Sequence, residues 1–206
     1  MTKARSVLKT SDTREHILET AEGLMAAGGL ETVTFDAVAA RLGVTKQAVI
    51  YWFPSKVALL SALALPGLRG EAQVAIDAAV GASCRTQAVR AVVRAVIDFH
   101  LADLARFRLM YLSPQIGATA GAKRTAAELV AQVHPVTSEM YAAIAAALGD
   151  GPTARETAMA LHMAALGHVL MVALTEAIDD PLRHAPELLA ERLAALLAAG
   201  AGAEAP

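Results

Sequence analysis

The chain has 206 residues, 55% of them hydrophobic and only 18% charged, which excludes a disordered protein and leaves room for one large domain or two small ones. Alanine dominates the apolar fraction and aromatics are 4%. Alanine is the best helix former and no alternating β-branched or aromatic run occurs, so the composition predicts an all-α fold of about nine helices. The formal net charge of −2 excludes a polycation, and any nucleic-acid contact must come from a local patch. The extreme N-terminus supplies one candidate: Lys3, Arg5, Lys9 and Arg14 face a single acid, Asp12. It reads either as a basic arm that adds phosphate contacts or as a solvated tail.

In chain order, Asp12 followed by Glu15 resembles a capping box and opens a first helix with Ile17, Ala21, Leu24, Met25 and Gly28 on one face. Gly28-Gly29 ends it. Thr34 caps a second helix, Phe35 to Leu42, with Phe35, Val38, Ala39 and Leu42 inward. A very short Gly43-Val44 turn follows, and Thr45 caps a third helix, Lys46 to Trp52. Phe53-Pro54 ends that helix, with the proline expected to start the next one, whose inward face begins with Val57 and Leu60. Farther on the helices lengthen. Pro66-Gly67 predicts a break or kink, and Thr86 to about Ala105 a helix that continues to Leu112. Gln115–Ala122 reads as a loop and Lys123–Leu148 as a helix kinked at His134-Pro135. After the linker at 149–152 come helices over Thr153–Ile178 and Pro186–Ala199. The division is therefore an arm at 1–10, a three-helix domain at 11–56, a helical bundle at 57–199 and a tail at 200–206.

Cys84 has no partner for an intrachain disulfide and reads as a small buried side chain. The N-terminus has no apolar stretch of the secretory kind. Thr157 to Thr175 carries no formal charge, but His162, His168 and many alanines fit a buried bundle helix better than a membrane span. A cytoplasmic protein without membrane attachment is expected, and nothing calls for a cofactor.

Two short helices joined by a tight turn behind a supporting helix fit a helix-turn-helix, an outline that generic helical hairpins share. The third helix adds chemistry. Val49 and Phe53, with Val44, can anchor it, which leaves Thr45, Lys46, Gln47, Tyr51 and Trp52 facing outward. Such a set of hydroxyl, cation, amide and adjacent aromatics points to a partner.

Residues 11–60 resemble the DNA-binding domain of the tetracycline-repressor (TetR) family of transcriptional regulators. The resemblance lies in Thr34-Phe35-Asp36-Ala37-Val38-Ala39 and in Gly43 through Lys56, above all the aromatic-Phe-Pro-Ser-Lys ending. Gln47 stands where glycine is common, Ile50 where the first of two tyrosines is common, and Trp52 where histidine is usual. These departures bear on which bases are read.

The resemblance implies that Thr45 and Tyr51 touch phosphates while Lys46 and Gln47 face base edges. Glutamine can bond adenine and lysine guanine, each worth about 1–3 kcal/mol of discrimination. Trp52 would offer its indole N–H to a phosphate or pack on a sugar, and Thr34 and Lys56 would clamp the backbone from either side. The alternatives are a solvated Lys56 and a Trp52 tucked into the core.

One such unit makes too few contacts for specific binding, so a homodimer on a palindromic double-stranded operator is expected, with half-sites about 34–36 Å apart. Ala164, Ala165, Val169, Val172, Ala173, Leu189, Leu193, Leu196 and Leu197 suit a four-helix packing of two subunits.

By the same resemblance the bundle binds a small-molecule effector, lipophilic or aromatic, that releases a repressor from DNA. Candidate pocket residues are Phe99, His100, Asp103, Phe107, Tyr111, Tyr141, His162 and Met163. A rival reading is a metal-responsive regulator, with His100 and Asp103 one turn apart and His134, His162 and His168 on other helices. An α-helical enzyme is the weakest reading: no nucleophile with an evident base, phosphate-cradling glycine loop or paired-carboxylate motif is present.

Overall fold

The computed structural model describes residues 10–112, 122–149, 151–178 and 185–203, and among these no strand occurs. The helices are α1 (Thr10–Gly28), α2 (Phe35–Leu42), α3 (Lys46–Trp52), α4 (Lys56–Val80), α5 (Arg85–Leu101), α6 (Leu104–Phe107), α7 (Ala122–Leu148), α8 (Ala154–Ala177) and α9 (Pro186–Ala203). A 3-10 turn spans Leu30–Thr32 and a π-helical turn Arg108–Leu112. The all-α expectation holds. The arm at 1–9 and most of the loop expected at 115–122 lie outside the described residues.

The chain forms two compact units, which divide within α4 at Ala64 and Leu65 and within α7 at Leu129 and Val130. In the N-terminal unit, α1, α2 and α3 close over an apolar core of Ile17, Ala21, Val33, Val38, Ala39, Val49, Phe53, Leu59, Leu60 and Leu63, joined by Leu109. Large side chains fill it, and each fully buried Leu or Val contributes about 1.5–3 kcal/mol. α1 begins at Thr10, ahead of the expected Asp12 start, so Asp12 lies in the first turn, where a carboxylate favours the helix dipole. Pro54 does not open α4 as expected. Ser55 does, its Oγ accepting from Ala58 N at 3.0 Å, because a hydroxyl can satisfy an end amide and proline cannot.

In the C-terminal unit, α5 packs against both α8 and α9. α5 buries Ala88, Val89, Val92, Val93, Val96, Ile97 and His100, and α8 buries Ala158, Leu161, His162, Ala165, Val169 and Ala173. From α9 come Ala190, Ala194 and Ala198, an i, i+4, i+8 row of small residues that lets the helices approach closely. At the rim Arg90 pairs with Glu191, and Arg94 Nη1 donates to the Glu187 carbonyl at 3.2 Å.

Several expectations change here. α4 runs through Pro66 without a break, since packing at Leu60 and Leu63 before it and at Glu71, Ala72 and Ala75 after it holds the helix despite the lost hydrogen bond. α7 likewise continues through Pro135, where Thr137 Oγ1 donates to the Val133 carbonyl at 3.2 Å. The helix expected from Thr86 to Ala105 stops at Leu101, because Asp103 adopts an extended φ of −155° and caps α6, its carboxylate accepting from Arg106 N at 2.9 Å. α9 extends into the expected tail as far as Ala203. Cys84, expected to be buried, is exposed at the start of α5.

Candidate nucleic-acid interface and buried polar cluster

The reading head is set by three local devices. Thr34 Oγ1 accepts from Ala37 N at 3.1 Å, and Thr45 Oγ1 accepts from Ala48 N at 3.2 Å, so each threonine fixes the start of a helix. Between them Gly43 takes a left-handed φ of 68° and its N–H reaches the Ala39 and Ala40 carbonyls. That conformation turns the chain sharply enough to set α3 directly after α2. Val49 and Phe53 then anchor α3 in the core, as the helical spacing predicts, whereas Val44 in the turn is exposed rather than an anchor.

The opposite face of α3 is open. Thr45, Lys46 and Gln47 are exposed, Tyr51 is 78% exposed, and Lys56 is exposed at the start of α4. Thr34 is exposed at the start of α2. Trp52 is half-buried, packed against the core, and meets the Tyr51 ring edge-to-face at 5.4 Å. One contact on this face is not evident from the sequence. Lys46 Nζ donates to Asp36 Oδ2 at 2.8 Å, joining the reading helix to the first turn of α2.

This geometry is matched by known proteins. The family of bacterial regulatory proteins described as tetR matches residues 17–63. The chain carries a TetR-family DNA-binding domain. No curated protein matches the chain by sequence. Among solved structures, a bacterial regulatory protein of the tetR family from Rhodococcus RHA1 aligns at 18% identity and TM-score 0.62, over 92% of this chain and 97% of that one. A TetR/AcrR-family regulator from Thermobifida fusca aligns at 23% identity and TM-score 0.55, over 92% and 98%. A variant TetR from Acinetobacter baumannii, solved with minocycline, aligns at 19% identity and TM-score 0.61, over 94% and 96%. These likenesses extend the common fold to nearly the whole chain.

The C-terminal bundle holds a buried polar cluster at its centre. Glu71 on α4 is fully buried, and its Oε1 accepts from His162 Nε2 at 2.5 Å, with His100 Nε2 3.4 Å from the same oxygen. On the other side of the His162 ring, Nδ1 lies 2.8 Å from the Tyr141 hydroxyl. Burial alone would raise the Glu71 carboxyl, but its bonds to His100 and His162 and their charge outweigh that and hold it at about 2. Burial, with the Glu71 charge nearby, pushes the Tyr141 hydroxyl up. Aromatic rings wall the cluster. His100 lies between Phe99 at 5.1 Å and Phe107 at 5.3 Å, each edge-to-face. Gly70 makes room for this wall, since a methyl group there would sit 3.1 Å from the Phe99 ring.

Of the expected pocket residues, the structure thus brings together Phe99, His100, Phe107, Tyr141 and His162. It does not place all eight there. Met163 is 67% exposed, one residue round the helix from His162, and Asp103 is an exposed helix cap. Tyr111 belongs to the N-terminal unit. Glu71, which organises the cluster, is absent from the expectation. Its signal was available: Glu71, Ala75 and Ala79 form an i, i+4, i+8 row whose other members are buried alanines. Among the described residues no group of three or more His, Cys, Asp or Glu is arranged to hold a metal. His134 is exposed, and His168 lies beside Pro186, where burial pushes its ring below the ordinary histidine value.

The residues expected at the subunit interface differ in their exposure. Ala165, Val169 and Ala173 are buried within the bundle, so they cannot meet a partner. Ala164, Val172, Leu193 and Leu197 are half-buried, and Leu189 and Leu196 are exposed. The outward apolar row on α8 is instead Met159, Met163, Met171, Leu174 and Ile178. By length and composition α8 could cross a membrane, yet a third of its apolar window is already buried in the bundle.

Proposed function

We propose that the protein is a homodimeric repressor that binds a palindromic operator and is released by a small, lipophilic or aromatic ligand. The observation that carries the DNA part is the open face of α3. Two capped helix starts hold Lys46, Gln47 and Tyr51 toward solvent beside Thr34 and Lys56. Lys46 and Gln47 then read base edges while Thr34, Thr45, Tyr51, Trp52 and Lys56 meet phosphates and sugars. Amides at the starts of α2 and α4 assist.

Dimerisation supplies the second half-site. The α8 row of Met163, Met171 and Leu174, with Leu189 and Leu196 on α9, is an exposed apolar surface that a second copy would cover. This reading also accounts for the uncharged stretch Thr157–Thr175 of α8: its own bundle covers one side and the partner subunit the other.

For the effector, the supporting observation is the Glu71–His162–Tyr141 row with its Phe99 and Phe107 wall. Oriented polar groups inside an apolar bundle suit an aromatic ligand carrying polar substituents. The minocycline complex of the similar Acinetobacter protein is such a case. Release from DNA requires the ligand to prefer a different arrangement of the protein, with a coupling of about 1–3 kcal/mol. Among the described residues no arrangement of donors favours the metal-responsive alternative.

Selection of bound duplexes from random and genomic DNA tests the proposal. A palindromic consensus is expected, and Lys46→Ala with Gln47→Ala should weaken binding to it by about 1–3 kcal/mol per lost base contact. Unchanged affinity for every selected sequence would overturn it.

A further inference from the structure

We propose that Asp36 is a positioning residue for base reading: it holds the Lys46 ammonium as a reader of a G·C pair and keeps it from serving as a phosphate clamp. The inference rests on the DNA-binding reading above. Its starting point is the 2.8 Å bond from Lys46 Nζ to Asp36 Oδ2 on the solvent face of the reading head.

An ammonium on a flexible four-carbon stem is a point charge with three donors. Left free, it goes to the strongest nearby anion, and on duplex DNA that is a phosphate. A phosphate contact adds affinity for every sequence equally and so carries no information. Asp36 changes this choice. One donor of Lys46 is committed to the carboxylate, and the two others remain for a guanine edge, whose O6 and N7 are neighbouring acceptors in the major groove. The Asp36 carboxylate also puts a negative charge beside Nζ, which opposes a phosphate in the same place.

The pair is accessible enough to work this way. Lys46 is 47% and Asp36 72% exposed, so the bond is weak and breakable. At a wrong sequence Lys46 can leave Asp36 for a phosphate only by giving the bond up. At a right sequence it keeps the bond and adds the base contact. The two ends of the pair sit on rigid starts of helices, Asp36 two residues after the Thr34 cap and Lys46 one residue after the Thr45 cap. Asp36 has a second role as an acid in the first turn of α2, which stabilises the helix but has no bearing on which base is read.

Asp36→Asn keeps the shape of the side chain and removes its charge. The full-length protein would be tested for binding to a selected operator, to operators changed at single base pairs, and to a random duplex, each across a salt series. Expected for Asp36→Asn is a roughly two- to fivefold gain on random duplex, the range of an exposed ion pair. The salt slope of that binding should steepen by about 0.9 per subunit, one added phosphate contact each. Discrimination should fall at one G·C position per half-site and nowhere else. Asp36→Glu should restore much of it. In a Lys46→Ala background the Asp36→Asn gain should vanish. The proposal is overturned if the gain persists without Lys46, which would make Asp36 a plain repeller of phosphate. It is equally overturned if Asp36→Asn weakens all duplexes alike, the mark of a purely structural residue. A wild-type chain that binds no duplex would instead sink the DNA-binding reading itself.

Discussion

The two units of this protein break the usual distribution of side chains in opposite ways. The N-terminal unit has an apolar core of large residues and leaves Tyr51 in water beside Lys46 and Gln47. The C-terminal unit keeps Glu71, His100 and His162 inside and leaves Met163, Met171 and Leu196 outside. Exposed aromatics and buried carboxylates each cost something, so each marks a place where stability alone does not explain the residue. In the reading head the exception faces outward and suits a polymer. In the bundle one exception faces inward and suits a small guest, and the other faces outward and suits a second copy of the chain.

The outward apolar face gives the sharpest way to test that difference. Met171→Glu together with Leu196→Glu should leave the protomer folded, because both side chains are exposed, 59% and 72%. Sedimentation should then report a monomer. Affinity for the palindromic duplex should fall by about 10²–10⁴-fold, the loss expected when two linked sites become one. A dimer that survives both charges would place the interface elsewhere.

The inward exception comes next. Glu71→Ala leaves His100 and His162 facing each other without the carboxylate between them, and breaking such a buried group costs about 3–5 kcal/mol. The melting temperature should drop by about 6–20 °C at the usual 2–4 °C per kcal/mol for a chain of this length. Acid gives the same test without a cavity. The Glu71 carboxyl is held at about 2 against an ordinary 4.5, so the folded state favours its ionised form. Its contribution of about 3 kcal/mol is present above pH 4.5 and is lost as pH falls from there toward 2. Glu71→Gln should remove that part of the acid slope, read as the difference between the wild-type and variant unfolding curves. Identical slopes would mean that the carboxylate is not stabilised by its histidines.

How legible these regions are in the sequence follows the same contrast. The reading head is spelled out locally: Thr34, Gly43 and Thr45 each act on backbone groups within four residues, so spacing alone places α2 and α3 to the residue. The bundle is not. α8 is apolar on every side, so the pattern cannot say that Ala165, Val169 and Ala173 turn inward and Met163, Met171 and Leu174 outward. Glu71 and His162 are 91 positions apart, and only packing of α4 against its neighbours in the bundle joins them. Asp103 shows the converse error: a carboxylate one turn from a histidine looks like a ligand pair, but the acid serves a helix start three residues on. Pro54 and Ser55 compete for one helix start, and the side chain able to accept a hydrogen bond takes it.

The smallest expected effects lie in the turn between α2 and α3, and they separate conformation from contact. Thr45→Ala removes the oxygen that accepts from Ala48 N and should cost about 1 kcal/mol, or 2–4 °C. Gly43→Ala should cost about 1–2 kcal/mol for a different reason. Nothing lies within 4 Å of where its Cβ would be, so the penalty is the left-handed φ of 68° alone. Gly43→Asn should therefore recover part of the loss, since asparagine tolerates that conformation better than alanine does. If asparagine were as costly as alanine, crowding rather than backbone conformation would be the cause. Both losses fall on the unit that reads DNA, while the acid transition set by Glu71 belongs to the other. Thr45→Ala should therefore leave the Glu71-dependent part of the acid slope unchanged.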